Sequence, residues 1–321
     1  MDAKRDADID PSPLTGKRVA IIGYGNQGRA QALNLKDSGI EVIVGLREAS
    51  SSRGKAEADH LAIDSLTGAS ASADIIMLLA PDEALSAIYR TIEPYLGKGV
   101  ALGFSHGLAI RFGLIIPRPD LDVFMVAPKG PGTALRSLYI ESKGMVALYA
   151  VAQDASGQAE ALALAYGQAI GCGRAGLLRS TFAEECEADL FNEQAVVWGA
   201  VPEILIAGFE TLVEAGVSEE VAYMECVGEL KLIAELIEAR GIAGMREAIS
   251  NTAELGAVLG GRRIVDEGVR SRMREILAEV REGQFSQLLE DEEASGYPRL
   301  RQAREQARTL RIETARRKLL D

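Results

Sequence analysis

The stretch VAIIGYGNQGRAQAL, residues 19–33, decides how this chain folds. An apolar run leads into Gly23, Gly25 and Gly28, and a helix-forming segment follows. This is GxGxxG in strand–turn–helix order. Gly23 permits a tight turn, Gly25 lets a ligand approach the backbone, and Gly28 lets helix and strand pack closely. The unpaired N–H groups at the helix start suit a pyrophosphate. The motif predicts a dinucleotide site built from Gly23, Tyr24, Gly25, Asn26, Gln27 and Gly28.

Outward from this motif, short apolar runs alternate with helical patterns. Strands are predicted at 18–22, 41–45, 74–79, 100–104, 122–126 and 145–151, with helices such as 27–38 and 84–96 between them. Near-continuous apolar strands separated by helices imply a parallel sheet covered on both faces. From about Thr181 the apolar spacing becomes helical, through 184–215, 218–240, 243–250, 266–282 and 298–320. The predicted fold class is α/β: an N-terminal Rossmann-like domain at 1–180, then an all-α domain at 181–321.

Composition narrows the function. The 321 residues are 47% hydrophobic, enough for a sizeable core. A net charge of -12 argues against nucleic-acid or anionic-membrane partners. Cys172, Cys186 and Cys226 are odd in number and lack close metal spacing, which fits a reducing, cytoplasmic setting. The N-terminal MDAKRDADIDPSP is polar and acidic, unlike a signal or transit peptide. No apolar run reaches the ~20 residues that span a bilayer, so no membrane association is expected.

The second strand bears on the cofactor. An NAD site usually places an acid about 20 residues after the motif, on the ribose 2′-hydroxyl. Here the strand ends at Arg47, and Ser50, Ser51 and Ser52 follow. A guanidinium and hydroxyls suit a 2′-phosphate, so NADPH is expected over NADH. Two later strands end in chemistry. Residues 100–104 run into Ser105, His106 and Gly107, and 122–126 run into Ala127-Pro-Lys129-Gly-Pro-Gly132. Ligands of such sheets bind beyond the carboxyl ends of the strands, which marks His106 and Lys129 as catalytic candidates.

The helical half carries two carboxylate pairs, Asp189 with Glu193 and Glu225 with Glu229. At i, i+4 each pair shares one helix face, where like charges cost a few tenths of a kcal/mol. Solvated faces of an acidic chain produce such pairs too. Apolar neighbours, Leu190, Phe191 and Val196 for the first and Val227, Leu230 and Ile233 for the second, predict burial and a cation. Oxygen-only donors favour Mg²⁺ over Zn²⁺. Two Mg²⁺ ions beside a hydride-transfer domain imply a step that develops charge on adjacent oxygens.

These segments resemble ketol-acid reductoisomerase (acetohydroxy acid isomeroreductase) of the short type. The likeness runs through GKRVAIIGYGNQGRAQALNLKDSG, VGLREASSS, APDEA, FSHG, MVAPKGPG, TFAEECEADLFNEQAV, VAYMECVGELKLI, GMREAISNTAE and RIVDE. It implies conversion of 2-acetolactate or 2-aceto-2-hydroxybutyrate to a 2,3-dihydroxy acid in branched-chain amino acid synthesis. A Mg²⁺-dependent alkyl shift comes first, then reduction by NADPH. By motif, Asp189 would bridge two Mg²⁺ ions and Glu193 would ligate one. Glu225 and Glu229 would serve the second metal region, with Glu229 also moving a proton. Ser250 would hydrogen-bond the substrate, and His106 and Lys129 would orient water and charge. Arg47, Ser50 and Ser52 match the 2′-phosphate loop, and Asp82 and Gly132 complete the expected cofactor contacts. The short type has a knotted helical domain interleaved in a homodimer, which would place Glu225, Glu229 and Ser250 across from Asp189.

The chain departs from the family pattern beside these residues. Asn192 stands for a Gly, Trp198 for a Cys, Gly228 for a His, and Leu108 and Ala109 alter the usual HGF-N run. Trp198, expected one helix turn after Glu193, would reshape the alkyl end of the substrate pocket. The competing reading is a paralogue that reduces another 2-oxo acid or an imine, with or without the alkyl shift. A non-catalytic NADPH-binding protein would have lost one of the six key side chains, and all six are present. A β-hydroxyacid dehydrogenase would need no metal pair.

Overall fold

The structure, a computed structural model, describes residues 2–320 and divides into two compact units, Met1–Cys186 and Glu187–Asp321. The first holds β1 (Arg18–Ile22), α1 (Asn26–Asp37), β2 (Glu41–Gly45), α2 (Arg53–Ala58), β3 (Ala62–Asp64), α3 (Leu66–Ala71), β4 (Ile75–Leu78) and α4 (Asp82–Ile92). It continues with β5 (Ala101–Phe104), α5 (Leu108–Arg111), β6 (Asp122–Pro128), α6 (Gly132–Ile140), β7 (Ala147–Gln153), α7 (Ala159–Ala169) and β8 (Leu177–Arg179). The strands form one eight-stranded sheet in the order β3-β2-β1-β4-β5-β6-β7-β8.

Strand β1 shows why the apolar runs become central strands. Val19 and Ile21 enter the core on one face, and Ala20 and Ile22 enter the core on the other. Successive side chains point to opposite faces, so a strand covered on both must be apolar throughout. Burying each aliphatic side chain contributes about 1.5–3 kcal/mol.

The sheet is mixed rather than wholly parallel. β7 pairs antiparallel with β6, and β8 pairs parallel with β7. Ala147 lies opposite Pro128, so the chain re-enters the sheet at the end it left. Helix α6 and the turn after it make an out-and-back excursion, not a crossover to the far edge. Strands β3 and β8 are additions to the predicted set.

Helix α8 (Phe182–Ala195) contains the division between the units. After it come α9 (Ala200–Glu214), α10 (Glu219–Tyr223), a π-helical turn at Met224–Gly228, α11 (Leu230–Glu247) and α12 (Asn251–Ile264). Then come α13 (Glu267–Arg281), α14 (Gln284–Ala294), α15 (Pro298–Thr309) and α16 (Arg311–Leu320). No strand occurs among the described residues of this unit. Phe209, Ala222, Ile312 and Ala315 form its core, tying α9 and α10 to α16.

Two expectations for the helical unit change. The burial expected around the carboxylate pairs is only partly present within the chain: Leu190 is buried and Phe191 and Val227 are half-buried, but Val196, Leu230 and Ile233 are exposed. In addition, Phe182–Glu214 is long and apolar enough by length and composition to cross a bilayer, although it contains no unbroken apolar run of that length. Little of its apolar window is buried within the chain, and the helix breaks between Ala195 and Ala200.

Candidate functional site

The dinucleotide cradle lies where strand order reverses, between β1 and β4. Open α/β sheets bind ligands at that crevice. Gly23 has φ of 100°, and a side chain there would strike the backbone of Ala80. A side chain at Gly28 would strike the Gly23 carbonyl, whereas the space beside Gly25 is open. The loop is therefore packed on two sides and free on the one that a pyrophosphate would approach. Gly25 caps the twelve-residue α1 without a side-chain hydrogen bond, leaving the N–H groups of the first turn for an anion.

Tyr24 is buried, and its hydroxyl donates to Asp59 at 2.8 Å. Burial, then the bond and charge of Asp59, push that phenol well above its usual range. Arg29 donates to both oxygens of Asp59, at 2.6 and 2.8 Å. This holds the end of α2 against α1. The other end of α2 follows the predicted 2′-phosphate loop. Arg47 is exposed there, and Ser50 accepts a hydrogen bond from the Ser52 backbone N–H at 3.3 Å. Arg53, absent from the sequence reading, has its Nε buried without a hydrogen-bond partner. Gly132 begins α6 and packs directly on Asn26, whose carbonyl oxygen leaves no room for a Cβ. In this structure its small size joins two loops.

Loops after β4, β5 and β6 carry the catalytic candidates. His106 Nδ1 lies 3.1 Å from Asp82 Oδ2. Burial opposes the imidazolium form, but bonds to Asp82 and Cys186 and the charges of Asp82 and Glu185 outweigh it. The net effect raises the imidazole's pKa above its usual range. Asp82, also expected at the cofactor, thus reaches the histidine loop. Lys129 Nζ lies 2.6 Å from Glu185 Oε1, and Glu185 Oε2 accepts the Gly107 N–H at 2.8 Å. Glu185 is 1% exposed and is fully engaged by these two loops. The sequence reading missed it, although its signal was present: Glu185, Asp189 and Glu193 follow at four-residue steps along α8.

In the second unit, Asp189 and Glu193 lie one turn apart on α8, with Asp189 half-buried and Glu193 exposed. Glu225 lies in the π-helical turn and Glu229 follows it, both exposed. Isolated π turns recur at functional sites. Among the described residues, the four acids do not form one cluster within the chain. Their all-oxygen donor chemistry suits Mg²⁺. Ser250 caps α12, its Oγ accepting from the Ala253 N–H at 3.2 Å, so its own O–H can donate elsewhere. Trp198 lies in the break after α8, not a helical turn beyond Glu193, and is 62% exposed.

Residues 13–176 match the family described as acetohydroxy acid isomeroreductase, NADPH-binding domain. Residues 182–321 match ketol-acid reductoisomerase, C-terminal domain. The chain belongs to the ketol-acid reductoisomerase family. An NADH-preferring ketol-acid reductoisomerase from an uncultured archean is 43% identical, over 100% of this chain and 99% of that one, with a TM-score of 0.96. A semialdehyde dehydrogenase NAD-binding protein from Cupriavidus necator shares 20% identity over 84% of this chain and 99% of its own, with a TM-score of 0.62. A putative oxidoreductase from Jannaschia sp. CCS1 shares 19% over 83% and 97%, with a TM-score of 0.61. The last two likenesses concern fold alone. As a ketol-acid reductoisomerase family member, the chain is an oxidoreductase and isomerase that uses a nicotinamide cofactor.

Proposed function

We propose that the chain is an NADPH- and Mg²⁺-dependent ketol-acid reductoisomerase acting on 2-acetolactate and 2-aceto-2-hydroxybutyrate in branched-chain amino acid synthesis. The observation that carries this reading is the Asp82–His106 and Lys129–Glu185 constellation at the sheet's carboxyl end, with Asp189 and Glu193 further along α8. In this reading it works as a homodimer, and in the cytoplasm, a setting compatible with three unpaired thiols.

Asp189 and Glu193, with Glu225 and Glu229 of a second copy, would hold two Mg²⁺ ions. When bound, these supply Lewis acidity to adjacent substrate oxygens. His106, kept protonated by Asp82, places a cationic donor at the substrate's oxygens. Lys129, anchored by buried Glu185, adds fixed positive charge where an oxyanion develops. Glu229 moves the proton, and Ser250 donates its O–H to the substrate. Trp198 shapes the alkyl end of the pocket.

Arg47, Ser50 and Ser52 support NADPH as reductant, although the archaeal homologue prefers NADH. The buried, unpartnered Arg53 Nε adds to the case for an anion at this loop. The deciding experiment follows oxidation of NADPH and of NADH with 2-acetolactate, and separately with 3-hydroxy-3-methyl-2-oxobutyrate, with and without Mg²⁺. Mg²⁺-dependent turnover of both substrates, faster with NADPH, is expected. Turnover of the second alone marks a reductase without the alkyl shift. Faster turnover with NADH overturns the cofactor assignment.

A further inference from the structure

We propose that Gln31 is a positioning residue that joins the dinucleotide loop to both loops of the catalytic face. The proposal rests on the functional reading above. Gln31 is fully buried in α1, between the apolar positions Ala30 and Ala32. A buried amide is costly unless its polar atoms are all bonded. Here they are. Its Nε2 donates to Gln27 Oε1 at 3.1 Å and to Ser105 Oγ at 2.9 Å. Its Oε1 accepts from the Tyr166 hydroxyl at 2.7 Å.

The two donated bonds lead to different parts of the site. Gln27 lies in the dinucleotide motif, and its Nε2 donates to the Gly130 carbonyl at 2.9 Å. Gly130 adjoins Lys129. Ser105 passes its own hydrogen to the Val126 carbonyl at 2.9 Å and adjoins His106. A single amide therefore fixes the cofactor loop, the histidine loop and the lysine loop in one mutual register. Tyr166 is itself fully buried, and its donated bond fixes which end of the Gln31 amide faces the loops. An apolar residue would fill the same volume without linking any of the three. Its polar choice is explained by the linkage, since hydrogen-bonded networks of this kind specify one arrangement.

The test compares wild type with Gln31→Met, Ser105→Ala and Tyr166→Phe. NADPH binding is measured by fluorescence titration, and kcat at a temperature where circular dichroism shows each variant folded. Gln31→Met is expected to weaken NADPH binding about fivefold or more and to lower kcat about tenfold or more. Combining Gln31→Met with Ser105→Ala should cost kcat no more than the worse single change, because both break the shared Gln31–Ser105 link. A residue that only stabilises the fold would lower the melting temperature and leave both readouts within twofold, and that result overturns the proposal. Multiplying losses in the double variant also overturn it. Should Gln31→Met not fold, Tyr166→Phe and Ser105→Ala decide by the same criteria. If wild type does not turn over either substrate, the functional reading fails separately, and NADPH binding alone judges Gln31.

Discussion

Glu185 shows how much one side chain can fix. It is buried, it pairs with Lys129, and it accepts the Gly107 N–H beside His106. Removing it takes away the Lys129–Glu185 ion pair and the acceptor of the Gly107 N–H. Glu185→Ala should cost roughly 2–4 kcal/mol of stability and reduce kcat far more than it raises the substrate KM. Denaturant unfolding and steady-state kinetics check both; an unchanged kcat would remove Glu185 from the catalytic face. Arg53 is the other residue with more to offer than its sequence context showed. If its guanidinium meets the 2′-phosphate, Arg53→Gln should raise the NADPH Kd about tenfold, the worth of one charge-assisted bond. The NADH Kd should stay within twofold. Equal change in both would exclude a role in discrimination. The four-residue spacing of Glu185 with Asp189 marks its helix face but not its partners, which lie 56 and 78 positions away, and Arg53 resembles any basic residue opening a helix.

At the scale of elements, α2 is a short strut whose placement depends on its far end. Asp59 ties it to Tyr24 and Arg29, and Lys36 donates to the carbonyls of Asp59 and His60. The Arg29 bonds hold the Asp59 carboxyl below its ordinary value, against opposing burial. A lowered folded-state pKa means the stabilisation is complete above about pH 4 and is lost as pH falls through the lower folded value. Asp59→Asn should therefore destabilise by about 1 kcal/mol at pH 7, a small figure because Arg29 is half exposed. The melting difference from wild type should shrink at pH 3; a constant gap would refute the assignment. The strongest elements were readable from sequence for a physical reason. β1 and α1 depend on local spacing of apolar residues and glycines, which is written in order along the chain. β3 and β8 are three-residue strands at the sheet's edges, too short to show a period. The direction of β7 is set by pairing Ala147 with Pro128, a register no local pattern encodes. The break at 196–199 likewise displaced Trp198 from the position that helical spacing assigned.

At the scale of the molecule, the helical unit presents more apolar surface than a lone chain would keep. Trp198, Leu232, Ile242, Leu255, Leu259 and Ile264 are each 59–64% exposed. We propose that a second copy covers this surface, because exposed apolar area of this extent is characteristic of association surfaces. The carboxylates agree, since the pairs on α8 and around the π turn do not cluster within the described chain. A second copy would cover the surface and complete the acid quartet at once, and a two-fold arrangement would do so identically at both sites. Asp189→Asn and Glu229→Gln should each abolish turnover. Unfolded together and refolded as a mixture, half of the dimers are mixed. Each mixed dimer then has one site with both defects and one intact site, so activity should return to roughly a quarter of wild type. If one chain supplied all four ligands, every site in the mixture would carry a defect and activity would stay absent. Sedimentation of the mixture alongside the assay separates that outcome from failure to associate: a dimeric but inactive mixture places the full quartet on one chain.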